Sequence, residues 1–153
     1  RHPAAPPRGP RGDIFMHLLD DIALLLGRIF LAALFLPSGV QKLSNFSGMT
    51  TLLTHQGLPN PHTLTLLAIF LEIAGSVALI LGVASRLTAI LLILFVAAAT
   101  MTSHLYWLEP NAALQTAQKI EFFKNVAIAG GLLFYFASGP GVLALEKTPP
   151  MHH

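Results

Sequence analysis

Four apolar stretches separated by short polar segments make up most of the chain. They cover about residues 22–40, 63–83, 87–103 and 122–138. At 1.5 Å per residue they make helices of about 26–32 Å, within the range of segments that cross a hydrocarbon core roughly 30 Å thick. Every backbone group in lipid must find its partner inside the protein, so the pattern predicts an all-α transmembrane four-helix bundle.

The polar punctuation sets the ends of the helices. Asp20 and Asp21 precede the first span, where the positive end of a helix dipole favours acids, and Pro37, Ser38 and Gly39 mark its far end. A polar loop from Ser44 to Pro61 follows, with Asn60 placed to cap the second span and Pro61 to take its first position. Gly82 to Arg86 is short enough only for a tight turn, so spans two and three are antiparallel neighbours, with Ser85 as a candidate cap. Tyr106 and Trp107 after the third span suit a membrane interface. A polar connection from Asn111 to Glu121 leads to the fourth span, which Ser138, Gly139, Pro140 and Gly141 stop.

This division gives a transmembrane domain over residues 19–145 flanked by tails at 1–18 and 146–153. The first tail, rich in Pro, Gly and Arg, is expected to be disordered and has no continuous apolar region of the kind a signal peptide needs. Met16 is a candidate start within it, and His152 and His153 have the look of a tag remnant.

Composition strengthens the membrane assignment. Hydrophobic residues form 54% of the 153 and charged residues 10%, with a mean hydropathy of +0.66, against about 25% charged in ordinary soluble domains. A net charge of +2 spread over scattered Lys and Arg argues against nucleic acid and makes the basic residues topology signals. Arg1, Arg8, Arg11, Arg86 and Lys147 fall on the side of the termini, against Lys42, Lys119 and Lys124 on the other. That excess predicts that both termini lie in the cytoplasm. The chain has no cysteine, which excludes disulfides, thiol catalysis and cysteine metal sites from its own side chains.

Glu72 stands out against this background. It lies about 15 Å from the end of the second span, near the bilayer midplane, where an unpaired charge costs roughly 2.5–3.5 kcal/mol. No snorkelling route reaches water from that depth, so Glu72 should face protein and a partner. Arg28, about 9 Å inside the first span, either snorkels to the headgroups or pairs inward, with Glu72 as its candidate partner. Lys42 is expected at the far interface with His104, and Lys124 and Asn125 occupy the first turns of span four on the same side.

Folding the spans together would gather these groups into a pocket at the end away from the termini. Glu72 and His104 are the candidate proton-exchanging catalytic residues there. Lys42, Lys124, Asn125 and Arg28 are candidate binding residues for an anion or a quinone carbonyl. The bland alternative is that Lys42 and Lys124 snorkel, His104 makes an interfacial hydrogen bond and Glu72 pairs structurally with Arg28. His55 and His62 have no second ligand at metal spacing, so no metal is expected, and no Ser or Thr sits beside a base that would activate it.

These residues carry a resemblance to the DoxX family of small four-helix membrane proteins. It rests on Gly27-Arg28-Ile29-Phe30-Leu31, Ser38-Gly39-Val40-Gln41-Lys42-Leu43, Gly57-Leu58-Pro59, Glu72-Ile73-Ala74-Gly75, Leu81-Gly82 with Arg86, His104, Lys124-Asn125, Gly130-Gly131-Leu132 and Gly139-Pro140-Gly141. The resemblance runs from Gly27 to about Leu145. It implies a component of a membrane oxidoreductase system: a DoxX-like subunit occurs in thiosulfate:quinone oxidoreductase, and other relatives are linked with redox-stress assemblies. Quinone is the implied cofactor, with membrane lipid and redox proteins, soluble or membrane-bound, as partners. The lack of cysteine fits a quinone-facing or scaffolding role better than thiol transfer. A non-enzymatic scaffold for soluble redox partners, or a small transporter or lipid-handling protein, are the other readings, the transporter needing a homo-oligomer to provide a path.

Overall fold

The structure, a computed structural model, describes residues 10–146. Its elements in chain order are α1 (Pro10–Ser44), α2 (Phe46–His55), α3 (Pro61–Leu81), α4 (Ser85–Ser103), a 3-10 turn (Tyr106–Leu108) and α5 (Ala112–Ser138). No strand occurs among the described residues. Among the described residues, four segments are long and apolar enough to span a membrane: Ile14–Ser44, Pro61–Leu81, Ser85–Leu108 and Ala112–Ser138. The all-α four-span architecture expected from the sequence is the one observed.

The core is built by all four spans. Ala32 and Phe35 of α1 pack with Leu79 of α3, Ala89, Leu92 and Val96 of α4, and Leu132 and Tyr135 of α5. Large apolar side chains cover the outside, Phe134 being 80% exposed and Phe30 and Phe70 nearly as bare. Such a surface would drive aggregation in water. Against lipid tails, as apolar as the side chains themselves, it is the expected exterior of an integral membrane protein.

Three boundaries differ from the sequence expectation. Helix α1 begins at Pro10, so residues 10–18 of the expected tail are helical; residues 1–9 lie outside the described range, as do the basic residues Arg1, Arg8 and Lys147 used for orientation. Helix α1 also runs through Pro37 to Ser44. Proline is tolerated within membrane spans because neighbouring groups take up the carbonyl it leaves free.

The second difference is α2, which occupies the middle of the expected loop. Thr50 and Thr54 turn their hydroxyls back onto the carbonyls of Phe46 and Thr50, and Leu53 is buried. The third is the start of α5, which takes in the supposed connection from residue 112. Asn111 caps it, its Oδ1 accepting from the N–H groups of Ala113 and Leu114 at 3.0 and 3.2 Å.

The α3–α4 turn is as tight as its length required. Gly82 (φ 63°) and Ala84 (φ 46°) both take left-handed backbone. Ser85 does not cap α4 with its side chain; its N–H donates to the Glu146 carboxylate at 2.7 Å. The chain after α5 returns to this turn, the N–H groups of Leu145 and Glu146 donating to Leu81 O and Gly82 O at 2.9 and 3.0 Å.

Candidate functional site

Glu72 lies near the middle of α3, about 16 Å from Pro61 and about 14 Å from Leu81 along the helix axis. It is 3% exposed. The neighbouring face belongs to α1, which comes close because Gly39 presents no side chain. A Cβ there would stand 2.8 Å from Ile73 Cγ1 and 3.0 Å from Glu72 Cβ, nearer than packed carbons sit.

One turn apart on α1, Ser38 and Lys42 share the face that meets Glu72. The Lys42 ammonium donates to Glu72 Oε1 at 2.8 Å and to Ser38 Oγ at 2.7 Å. Ser38 Oγ in turn donates to the same carboxylate oxygen at 2.9 Å. The three groups form a closed triangle in which charge and hydrogen bonds are matched on one oxygen. The other oxygen, Oε2, is buried with no partner among the described residues.

Lys42 was expected to reach the far interface, and the structure turns it inward. The buried carboxylate outweighs the headgroups because the pair forms away from bulk water, where an ion pair is worth more and an unanswered charge costs more. Glu72 therefore has its basic partner on a neighbouring helix, but the partner is not Arg28.

The Lys42 side chain is 21% exposed and joins Glu72 to an open pocket of about 270 Å³. Gln41, Lys42, Asn45, Gly48, Met49 and Leu52 line it, so it lies where α1 gives way to α2. An ammonium has three donors. Two are taken by Ser38 and Glu72, which leaves one without a partner among the described residues.

Arg28 lies elsewhere. Its guanidinium is 1% exposed and donates to Pro140 O at 2.9 Å and Leu143 O at 2.5 Å, across 112 and 115 residues of sequence. It neither snorkels nor pairs with an acid within 4 Å among the described residues. Main-chain carbonyls after α5 meet its charge.

The remaining candidates form a separate group along α4 and α5. His104, just after α4, meets Gln118 through Nδ1 at 2.6 Å; with the amide oxygen as acceptor, Nδ1 carries the proton. Asn125 Nδ2 donates to Thr100 Oγ1 at 2.9 Å and ties the two helices together. Lys124, 49% exposed, pairs with Glu121 on its own helix. No hydrogen bond or ion pair joins His104, Lys124 or Asn125 to Glu72 among the described residues.

The single pocket expected from the sequence is thus resolved into the Ser38–Lys42–Glu72 triangle and an α4–α5 cluster. The sequence alone makes none of Ser38, Gln41, Asn45 and Gly48 a candidate site residue. Four-residue spacing was the available signal: Ser38 and Lys42, like Gln41 and Asn45, fall one turn apart on a helix.

Comparison with known proteins agrees with the architecture. The family model described as DoxX matches residues 23–105, more than half of the chain. The Escherichia coli K12 inner membrane protein YphA is 29% identical over 126 residues, covering 82% of this chain and 89% of the relative. Inner membrane protein YqjF of the same organism is 31% identical over 133 residues, covering 86% and 95%. No solved structure matches.

Proposed function

Because the chain belongs to the DoxX family of integral membrane proteins, we propose that it serves a membrane oxidoreductase system by holding a quinone beside Lys42 and Glu72. Lys42 offers its remaining N–H to a carbonyl oxygen of the ligand, and Glu72 acts as buried counter-charge and relays the proton that Lys42 gives up. Reducing a quinone to a quinol takes two electrons and two protons. A redox partner protein supplies both electrons; the Lys42–Glu72 pair passes one proton to the carbonyl oxygen it holds, and water entering the open pocket supplies the other to the far oxygen.

The observation that carries this reading is the spare donor of Lys42 at the wall of an open pocket, with a buried carboxylate behind it. A small anion would use the same donor. His104 and Lys124 take no part, since their partners lie on α5. A bacterial cytoplasmic membrane with cytoplasmic termini is part of the proposal, supported by the names of the two relatives and by the basic residues.

Equilibrium binding of a short-chain benzoquinone to the detergent-purified full chain tests it. Wild type should bind, and Lys42→Met should weaken binding about tenfold, the scale of one lost charge-assisted hydrogen bond. No binding by wild type sinks the proposal, and crosslinking that then captured soluble proteins on α2 would favour the scaffold reading instead.

A further inference from the structure

We infer that Asn45, lying over Gly48, is a specificity-determining residue of the Lys42 pocket, selecting with Gln41 a head group that carries more than one acceptor oxygen. The inference rests on the proposed ligand pocket and deepens it.

Asn45 stands at the N-cap position of α2, where an asparagine side chain ordinarily accepts from an N–H of the first helical turn. Here it makes no such bond. Its backbone has φ −120° and ψ 49°, the break that divides α1 from α2. The side-chain carboxamide lies over Gly48: a Cβ on that residue would come 2.5 Å from both Nδ2 and Oδ1. Glycine is what leaves room for the amide in this position.

Asn45, Gln41 and Lys42 all line the pocket, and neither carboxamide has a hydrogen-bond partner among the described residues. The wall thus offers one ammonium N–H and two free carboxamides, with Met49 and Leu52 supplying apolar surface. That chemistry suits a flat or slender apolar body whose head accepts from Lys42 at one oxygen and from a carboxamide at another. It gives no advantage to a head with a single acceptor.

Gly48→Ala isolates the idea. The three nearest atoms the new methyl group would meet all belong to the movable end of Asn45, so it displaces the carboxamide. Alanine is also the better helix former, which should keep the thermal midpoint at or above the wild-type value. The experiment measures affinities of the full chain in detergent for a short-chain benzoquinone and for an alkyl sulfonate of similar length, in wild type, Lys42→Met, Gly48→Ala, Asn45→Ala and Asn45→Asp.

Gly48→Ala and Asn45→Ala should each weaken the quinone about fivefold to tenfold at an unchanged midpoint. Asn45→Asp should penalise the sulfonate about tenfold more than the neutral quinone, because the new charge repels an anion. Wild-type quinone affinity in both Gly48→Ala and Asn45→Ala, with Lys42→Met still impaired, overturns the role of Asn45 and leaves the proposed function standing. An unchanged ratio of the two affinities in Asn45→Asp overturns it as well. Failure of wild type to bind either probe removes the pocket reading beneath both.

Discussion

Lys42 and Glu72, thirty positions apart, meet at 2.8 Å, and Ser38 bonds to both of them. The two charges are not equivalent, because the carboxylate is enclosed while the ammonium has a way out through the pocket. Removing either partner should therefore have unequal effects. Lys42→Met strands a buried carboxylate and should cost about 3 kcal/mol or more. Glu72→Gln keeps an acceptor for Ser38 and lets Lys42 turn toward the pocket, costing about 1–2 kcal/mol. The double variant Lys42→Met/Glu72→Gln should be more stable than Lys42→Met alone. Denaturation of all four proteins in one detergent checks the order, and additive losses would mean that the pair is not coupled.

Two glycines of α1 make a contrasting pair. Gly39 has α3 against it, whereas a Cβ on Gly27 would meet nothing within 4 Å. Gly39→Ala should push α1 away from Glu72 and cost about 1–3 kcal/mol. Gly27→Ala should be neutral or stabilising by up to about 1 kcal/mol. Equal thermal midpoints for the two variants would remove Gly39 as the point of close approach.

The inward orientation of Glu72 was legible because it follows from depth alone: a short carboxylate at the midplane has only protein to turn to. Its partner was not. By position along the chain Lys42 belongs at an interface, and only the stagger of α3 against the end of α1 brings it level with Glu72. The sequence offers Arg28 as that partner, but the segment after α5 returns to supply its guanidinium with the carbonyls of Pro140 and Leu143. The same limit hid α2 and the first turns of α5. Both are polar enough to read as loops, although Asn111 ahead of Ala112-Ala113-Leu114 was a usable start signal for the second. The Asn45–Gly48 contact depends on a side-chain direction that no pattern of residues encodes.

The α4–α5 cluster should separate into an indifferent charge and a structural amide. Lys124→Ala removes an exposed pair on one helix and should change stability by less than about 0.5 kcal/mol. Asn125→Ala deprives the buried Thr100 hydroxyl of its donor from across the helix interface and should cost about 0.6–1 kcal/mol. If quinone binding fell with either change while the fold held, the separation of this cluster from the Lys42 pocket would be wrong.

Arg28 supplies the last prediction. Its guanidinium joins α1 to two carbonyls of the segment after α5, and that segment is also fastened to the α3–α4 turn through Leu145, Glu146 and the Ser85 N–H. Lysine is a point donor and does not reproduce the fork that spans both carbonyls. Arg28→Lys should therefore hold the segment less well than wild type, and Arg28→Ala least well of the three. The amide hydrogens of Leu145 and Glu146 should exchange faster in that order, at least about tenfold faster in Arg28→Ala if that end of the chain opens about 1.4 kcal/mol more easily. Fourteen residues of α1, about 21 Å, separate Arg28 from Lys42, so the same variants should bind the benzoquinone probe as wild type does. Unchanged exchange at Leu145 and Glu146 would show that the turn contacts suffice without Arg28. Loss of probe binding alongside faster exchange would show instead that the two ends of α1 are mechanically coupled.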